Sequence, residues 1–187
     1  MAALPPLDPP PYRRQRILLP VVVRLFSLGK AGWMPWVLIA VNLAALLATT
    51  WILAQWVATQ KLSAWYAAIY PLFVGTLLAY SRNLTEPVAF CLAALGFISW
   101  SRQRYLVAVV ALAGAALTKE LALLFVFGLA LSAGVQRQWK LTVLALAASL
   151  PLIFWDAYLW RQFQTVPLTA GPALELIPLA GIVPHLT

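Results

Sequence analysis

Charge is scarce in this sequence. Asp, Glu, Lys and Arg make up 10% of its 187 residues, against about 25% in an ordinary soluble domain. Cysteine is nearly absent. Cys91 stands alone, so no internal disulfide and no cysteine-based zinc cluster can form. The single histidine, His185, argues against a Ser-His-Asp triad or a multi-histidine metal site. Acids are rarer than bases, five against thirteen, giving a net charge of +8. What fills the space is apolar: 63% of residues, with a mean hydropathy of +0.87. Disordered chains are poor in such residues, and soluble domains carry about 45–50% of them. The composition therefore points to an all-α polytopic transmembrane bundle. The bases sit in short breaks between apolar runs, as in loops at a lipid headgroup surface. The expected partner is the bilayer and not nucleic acid.

The runs and breaks divide the chain into three parts. Residues 1–34 read as a loop plus an interfacial helix. Five prolines lie between Leu4 and Pro11, and the polar block Tyr12-Arg13-Arg14-Gln15-Arg16 follows. Ile17–Gly29 is apolar, but it is interrupted by Arg24 and too short to span. Residues 35–160 hold about six apolar helices, some of them short or broken. Pro35–Val57 is the clearest, with Trp33, Trp36, Trp51 and Trp56 towards its ends as interfacial aromatics. Then come Ala64–Tyr80, where Pro71 predicts a kink, Pro87–Trp100, Tyr105–Leu117, Leu121–Val135 and Leu141–Trp155. The small residues of Ala111–Ala116 predict a helix-packing surface. Residues 161–187 read as a loop leading towards a further C-terminal part.

Alternating the six runs sorts the charges. Lys61, Arg102, Arg104, Arg137 and Lys140 fall on one side, with no acid. Arg82, Glu86, Lys119, Glu120, Asp156, Arg161 and Glu175 fall on the other, with the N-terminal segment. Loops bearing only Lys and Arg predict the cytoplasmic face, so the mixed-charge face is expected outside. Arg13, Arg14, Arg16, Arg24 and Lys30 then also lie outside, which a phosphate-bearing substrate would account for.

Two breaks share one design, Leu84-Thr85-Glu86 and Leu117-Thr118-Lys119-Glu120. Each offers a Thr to cap a helix N-terminus and a Glu for the first turn. Capping leaves Arg82 and Lys119 unexplained, because cations are disfavoured beside an N-terminus. An anion held between them would explain both.

Three segments carry a resemblance in the same order. Leu7-Asp8-Pro9-Pro10-Pro11-Tyr12-Arg13-Arg14-Gln15-Arg16-Ile17-Leu18-Leu19-Pro20, Arg82-Asn83-Leu84-Thr85-Glu86-Pro87 and Ala115-Ala116-Leu117-Thr118-Lys119-Glu120 resemble segments of a bacterial polytopic family. That family is similar to the GT-C superfamily of polyprenyl-phosphate-sugar-dependent glycosyltransferases, including mannosyltransferase-like and cell-surface glycopolymer proteins. The resemblance runs from about Leu7 to about Leu131. It departs at Arg14, where the family usually has an aromatic. The family's catalytic carboxylate belongs to a first helix and loop that would precede Met1, so the sequence is expected to be an incomplete copy or a degenerate relative.

The resemblance implies a protein of the bacterial inner membrane with its site on the extracytoplasmic face. It would transfer a sugar from a polyprenyl-phosphate donor to an acceptor outside the cytoplasm. The implied donor phosphate ligands are Arg13, Arg16, Arg82 and Lys119, with Tyr12, Glu86 and Glu120 orienting them or binding sugar. The catalytic group is unassigned, and Asp8 is the one acid left in its loop. No cofactor is fixed, although paired carboxylates suit Mg²⁺ or Mn²⁺. A competing expectation is a non-enzymatic transporter or assembly subunit, whose polar site would sit at half depth.

Overall fold

The computed structural model describes residues 14–164. All regular structure among them is helical. Contacts divide the chain into two compact units, Arg16–Trp155 and a smaller one formed by Met1–Gln15 with Asp156–Thr187.

The larger unit opens with α1 (Leu18–Phe26), a short helix before residue 30. Leu19 and Val23, one turn apart, are its buried residues, while Leu25 and Phe26 face outwards. A 3₁₀ turn (Ala31–Trp33) leads into α2 (Met34–Thr59), started by Pro35 in its first turn. Together Ala31–Thr59 is 29 residues long and apolar enough to cross a membrane. At 1.5 Å per residue it is about 43 Å, beyond the ~30 Å hydrocarbon core.

The second apolar run returns as a 3₁₀ segment (Ala64–Ala68), α3 (Ile69–Leu72) and α4 (Val74–Ser81), with a 54° bend. The bend falls at Phe73, whose backbone is extended at ψ 130°, two residues after Pro71. Gly75 makes room for it, since a Cβ there would lie 2.7 Å from the Phe73 ring. The next helices are α5 (Glu86–Ser101), α6 (Tyr105–Thr118), a 3₁₀ turn (Glu120–Ala122) and α7 (Leu123–Val135).

The sixth run differs from expectation. It forms two helices, α8 (Trp139–Ala147) and α9 (Leu150–Phe163), bent by 41°. Pro151 supplies the reason. It lacks an N–H, and its ring crowds the carbonyl four residues back, that of Ala147, where α8 stops. By length and composition, the described residues hold one helix able to cross a membrane, or up to three if each bent pair is one span. Glu86–Ser101, Tyr105–Thr118 and Glu120–Val135 are apolar but shorter.

Size is distributed inside out. The buried positions of the larger unit are mostly alanine, including Ala93, Ala108, Ala111, Ala115, Ala116, Ala130 and Ala145. Large apolar side chains such as Leu47, Val110, Leu124, Leu131 and Phe154 are more than half exposed. Small residues let helices approach closely, which is how helices pack where lipid removes the hydrophobic drive between them. So much outward apolar surface far exceeds the patches of soluble monomers and is compatible with membrane insertion. The α5–α6 contact is the tightest example. Gly96 sits against Leu112, where a Cβ would come within 2.7 Å of Leu112 Cγ and 3.3 Å of the Ala108 carbonyl. Ala111, Ala115 and Ala116 are buried as the small-residue pattern predicts.

One polar side chain breaks this apolar interior. Asn42 of α2 is fully buried, and neither its amide oxygen nor its nitrogen has a partner among the described residues.

Several turns reverse through a single left-handed residue that is not glycine. Lys61, Asn83, Gln103 and Arg137 have φ of 60°, 50°, 59° and 57°. In each, the next residue's N–H reaches back five positions, as from Arg104 to the Ser99 carbonyl at 2.8 Å and from Gln138 to the Ala133 carbonyl at 2.9 Å. This closure satisfies the last carbonyls of the preceding helix.

Candidate functional site

The α5–α6 hairpin builds the site. A three-residue turn joins its helices, so the first residue of α5 and the residue after α6 must return to the same end. Those residues are Glu86 and Lys119, and they form an ion pair through Glu86 Oε1 and Lys119 Nζ. Lys119 occupies the break itself. Its backbone is extended (φ −155°, ψ 126°), its N–H closes α6 on the Ala115 carbonyl, and its carbonyl accepts from Ala122 N–H. Glu120 begins the following 3₁₀ turn and faces Arg16, just ahead of α1. Arg16 grips it at two points, Nη2 to Oε1 at 2.8 Å and Nε to Oε2 at 3.3 Å. Forked contacts of this kind are the stronger class of charged hydrogen bond. The four side chains are mostly covered, with 15–26% of each accessible.

Four of the expected site residues, Arg16, Glu86, Lys119 and Glu120, therefore meet at one end of the larger unit. Each cation there has a carboxylate partner, and the four charges sum to zero. Arg82, at the close of α4, is exposed and makes no ion pair among the described residues. Asp8, Tyr12 and Arg13 lie outside the described residues.

The capping expectation is corrected at both breaks. Thr118 is the last residue of α6, and its hydroxyl donates back to the Gly114 carbonyl at 2.8 Å, a common use of a threonine inside a helix. Thr85 precedes α5 but makes no capping hydrogen bond. It adopts helical backbone angles (φ −79°, ψ −13°), and its Oγ1 is buried without a partner among the described residues. Cations, not caps, hold the two glutamates in place.

A cavity of about 420 Å³ adjoins Glu86 and is otherwise lined by Tyr70, Phe73, Thr76, Pro87 and Phe90, among others. Of the Glu86 oxygens, Oε1 takes Lys119 and Oε2 is buried without a partner among the described residues. The buried Tyr70 hydroxyl, close to Thr49, is a second polar group on the cavity wall. Tyr70 and Phe90 also border a second cavity of about 280 Å³, which continues along Leu53, Trp56 and Phe97 and is apolar. Tyr70 was not legible as a site residue, because nothing in the apolar run Ala64–Tyr80 sets it apart from the other aromatics there. A lone amide at Asn42 inside the longest apolar run is a signal of its own, since polar groups are expensive there.

Electrostatics at Glu120 run in two directions. Burial pushes its carboxyl up. The Arg16 hydrogen bond, its own backbone N–H and the charges of Arg16 and Lys119 outweigh that and hold it below the ordinary carboxylate range. The carboxylates do not fit a divalent metal. Glu86 and Glu120 are each joined to a cation, and no group of three acid, His or Cys ligands forms among the described residues.

The smaller unit has its own polar contacts. Gln15, almost fully buried, donates from Nε2 to Asp156 Oδ2 at 3.1 Å, and Arg14 stacks over the Phe163 ring at 4.9 Å. No family model, curated protein or solved structure was found to match the chain.

Proposed function

We propose that the chain belongs to an integral, polytopic membrane glycosyltransferase-like protein. In this reading it moves a sugar from a polyprenyl-phosphate donor to an acceptor on the extracytoplasmic side of a bacterial inner membrane. One observation carries the reading: Arg16, Glu120, Lys119 and Glu86 converge at helix ends, and Glu86 lines an adjoining cavity of about 420 Å³. In the transfer, the acceptor oxygen bonds to the anomeric carbon and the bond from that carbon to the phosphate oxygen breaks. The acceptor proton passes to a carboxylate, and polyprenyl phosphate leaves. Cations near the cavity stabilise the charge that grows on the phosphate. Lys119 and Arg16 are positioned for this by Glu86 and Glu120, and the exposed Arg82 stands ready to meet the phosphate first. Glu86, on the cavity wall, accepts a sugar hydroxyl.

The competing reading is a transporter or assembly subunit. Transport sites lie near mid-bilayer, whereas these charges lie where α5 starts and α6 stops, which favours a site opening at one face. The test uses the full-length protein in membranes supplied with a radiolabelled polyprenyl-phosphate sugar. Lys119→Ala and Glu86→Ala should abolish transfer while the protein still inserts. Normal transfer by either variant removes that residue from the site.

A further inference from the structure

We propose that the opposite end of the larger unit carries a separate site for a phosphate group, that of an anionic phospholipid, held by Arg102 and Arg104. A cleft of about 230 Å³ opens there between α2 and the α5–α6 turn. Trp51 and Gln55 contribute from α2, Leu95 and Ser99 from α5, and the two arginines from the turn. The volume is about eight times the ~30 Å³ share of a water molecule, room for a phosphodiester. The walls facing α2 and α5 are apolar enough to take the adjoining glycerol and chain.

The charge argument is one-sided. Residues 16–155 contain two acids, Glu86 and Glu120, and both lie at the far end of α5. Sixteen helical residues put them about 24 Å away, beyond the ~8–10 Å over which exposed charges act at physiological salt. Arg102 and Arg104 are exposed and make no ion pair among the described residues. The turn's own N–H groups cannot serve an anion. Those of Arg102, Gln103 and Arg104 already donate to the carbonyls of Ile98, Trp100 and Ser99. Any anion there must be taken by the guanidinium groups, which suit phosphate oxygens. Gln103 in the left-handed conformation separates the two arginines within one tight reversal. A bilayer offers phosphates at this level, beside the exposed Trp51 ring.

The experiment measures lipid binding to the purified protein in a neutral detergent, by native mass spectrometry and by thermal shift. The probes are phosphatidylglycerol, phosphatidylcholine and inorganic phosphate. Phosphatidylglycerol should bind at least about tenfold more tightly than phosphatidylcholine. The Arg102→Gln/Arg104→Gln pair should remove that preference, and Arg102→Lys/Arg104→Lys should retain part of it. Arg137→Gln/Lys140→Gln, with the same charge change in a neighbouring turn, should leave it intact. Equal loss in that control, or no preference in the unaltered protein, overturns the proposal. Inorganic phosphate binding as tightly as phosphatidylglycerol overturns the lipid assignment.

Discussion

The Glu86–Lys119 pair bridges the open end of the α5–α6 hairpin, and its strength can be worked out in advance. Both side chains are largely covered, at 21% and 15% accessible. Breaking a fully buried pair costs about 3–5 kcal/mol, while an exposed pair is worth about 0.2–1 kcal/mol. Residual solvent access puts this one between, at about 1–2 kcal/mol of coupling. Glu86→Gln leaves the ammonium without a counter-charge, Lys119→Met leaves the carboxylate without one, and the double variant leaves neither. The cycle should be read from thermal unfolding in one detergent, so that changes common to the single variants cancel. The two single losses should together exceed the loss in the double variant by that coupling. A difference below about 0.3 kcal/mol, the level at which distant sites are additive, would mean that the pair does not hold the hairpin and that the site is not pre-organised.

Two further outcomes follow from the geometry. Because Glu120 is held below the usual carboxylate range, its contribution to stability is complete above about pH 4–5 and is lost as pH falls through its lowered value. Glu120→Gln should therefore lose stability near neutral pH and show a shallower acid transition, as checked by melting temperature across the acid range. Gly96→Ala should destabilise by about 1–3 kcal/mol through overpacking against Leu112. Adding Leu112→Ala should cost less in that background than in the unaltered protein, and strict additivity in chemical unfolding would refute the contact.

Much of the site's location was readable from the chain, because geometry forces it. Once two apolar runs are joined by Ser101-Arg102-Gln103-Arg104, residues 86 and 119 have to share an end, and Glu120 comes with them. Arg16 joins them from two residues before α1. The pairing pattern was not readable. Whether a cation is left open to a ligand or joined to a carboxylate depends on distances of an ångström or two, set by how α1 packs on α2 and α5. The role of Thr118 was misjudged for a related reason. A threonine before a Glu can cap the following turn or bond back to its own helix, and the extended backbone at Lys119 decides for the second. The break before α9 could have been found, since Pro151 carries its own steric rule. The bend in the second run was foreseen from Pro71, and only its exact place, at Phe73 with the ring folded over Gly75, was not.

The left-handed turn residues have one more consequence. Glycine would adopt that conformation at no steric cost, yet Lys61, Asn83, Gln103 and Arg137 occupy it. A strongly hydrated side chain at each reversal cannot be drawn into hydrocarbon without losing its water. On the membrane reading proposed above, each turn would act as a float as well as a hinge, resisting vertical slippage of the short helices on either side. On that reading, helices too brief to fix their own depth by length would be given it by the residues that end them.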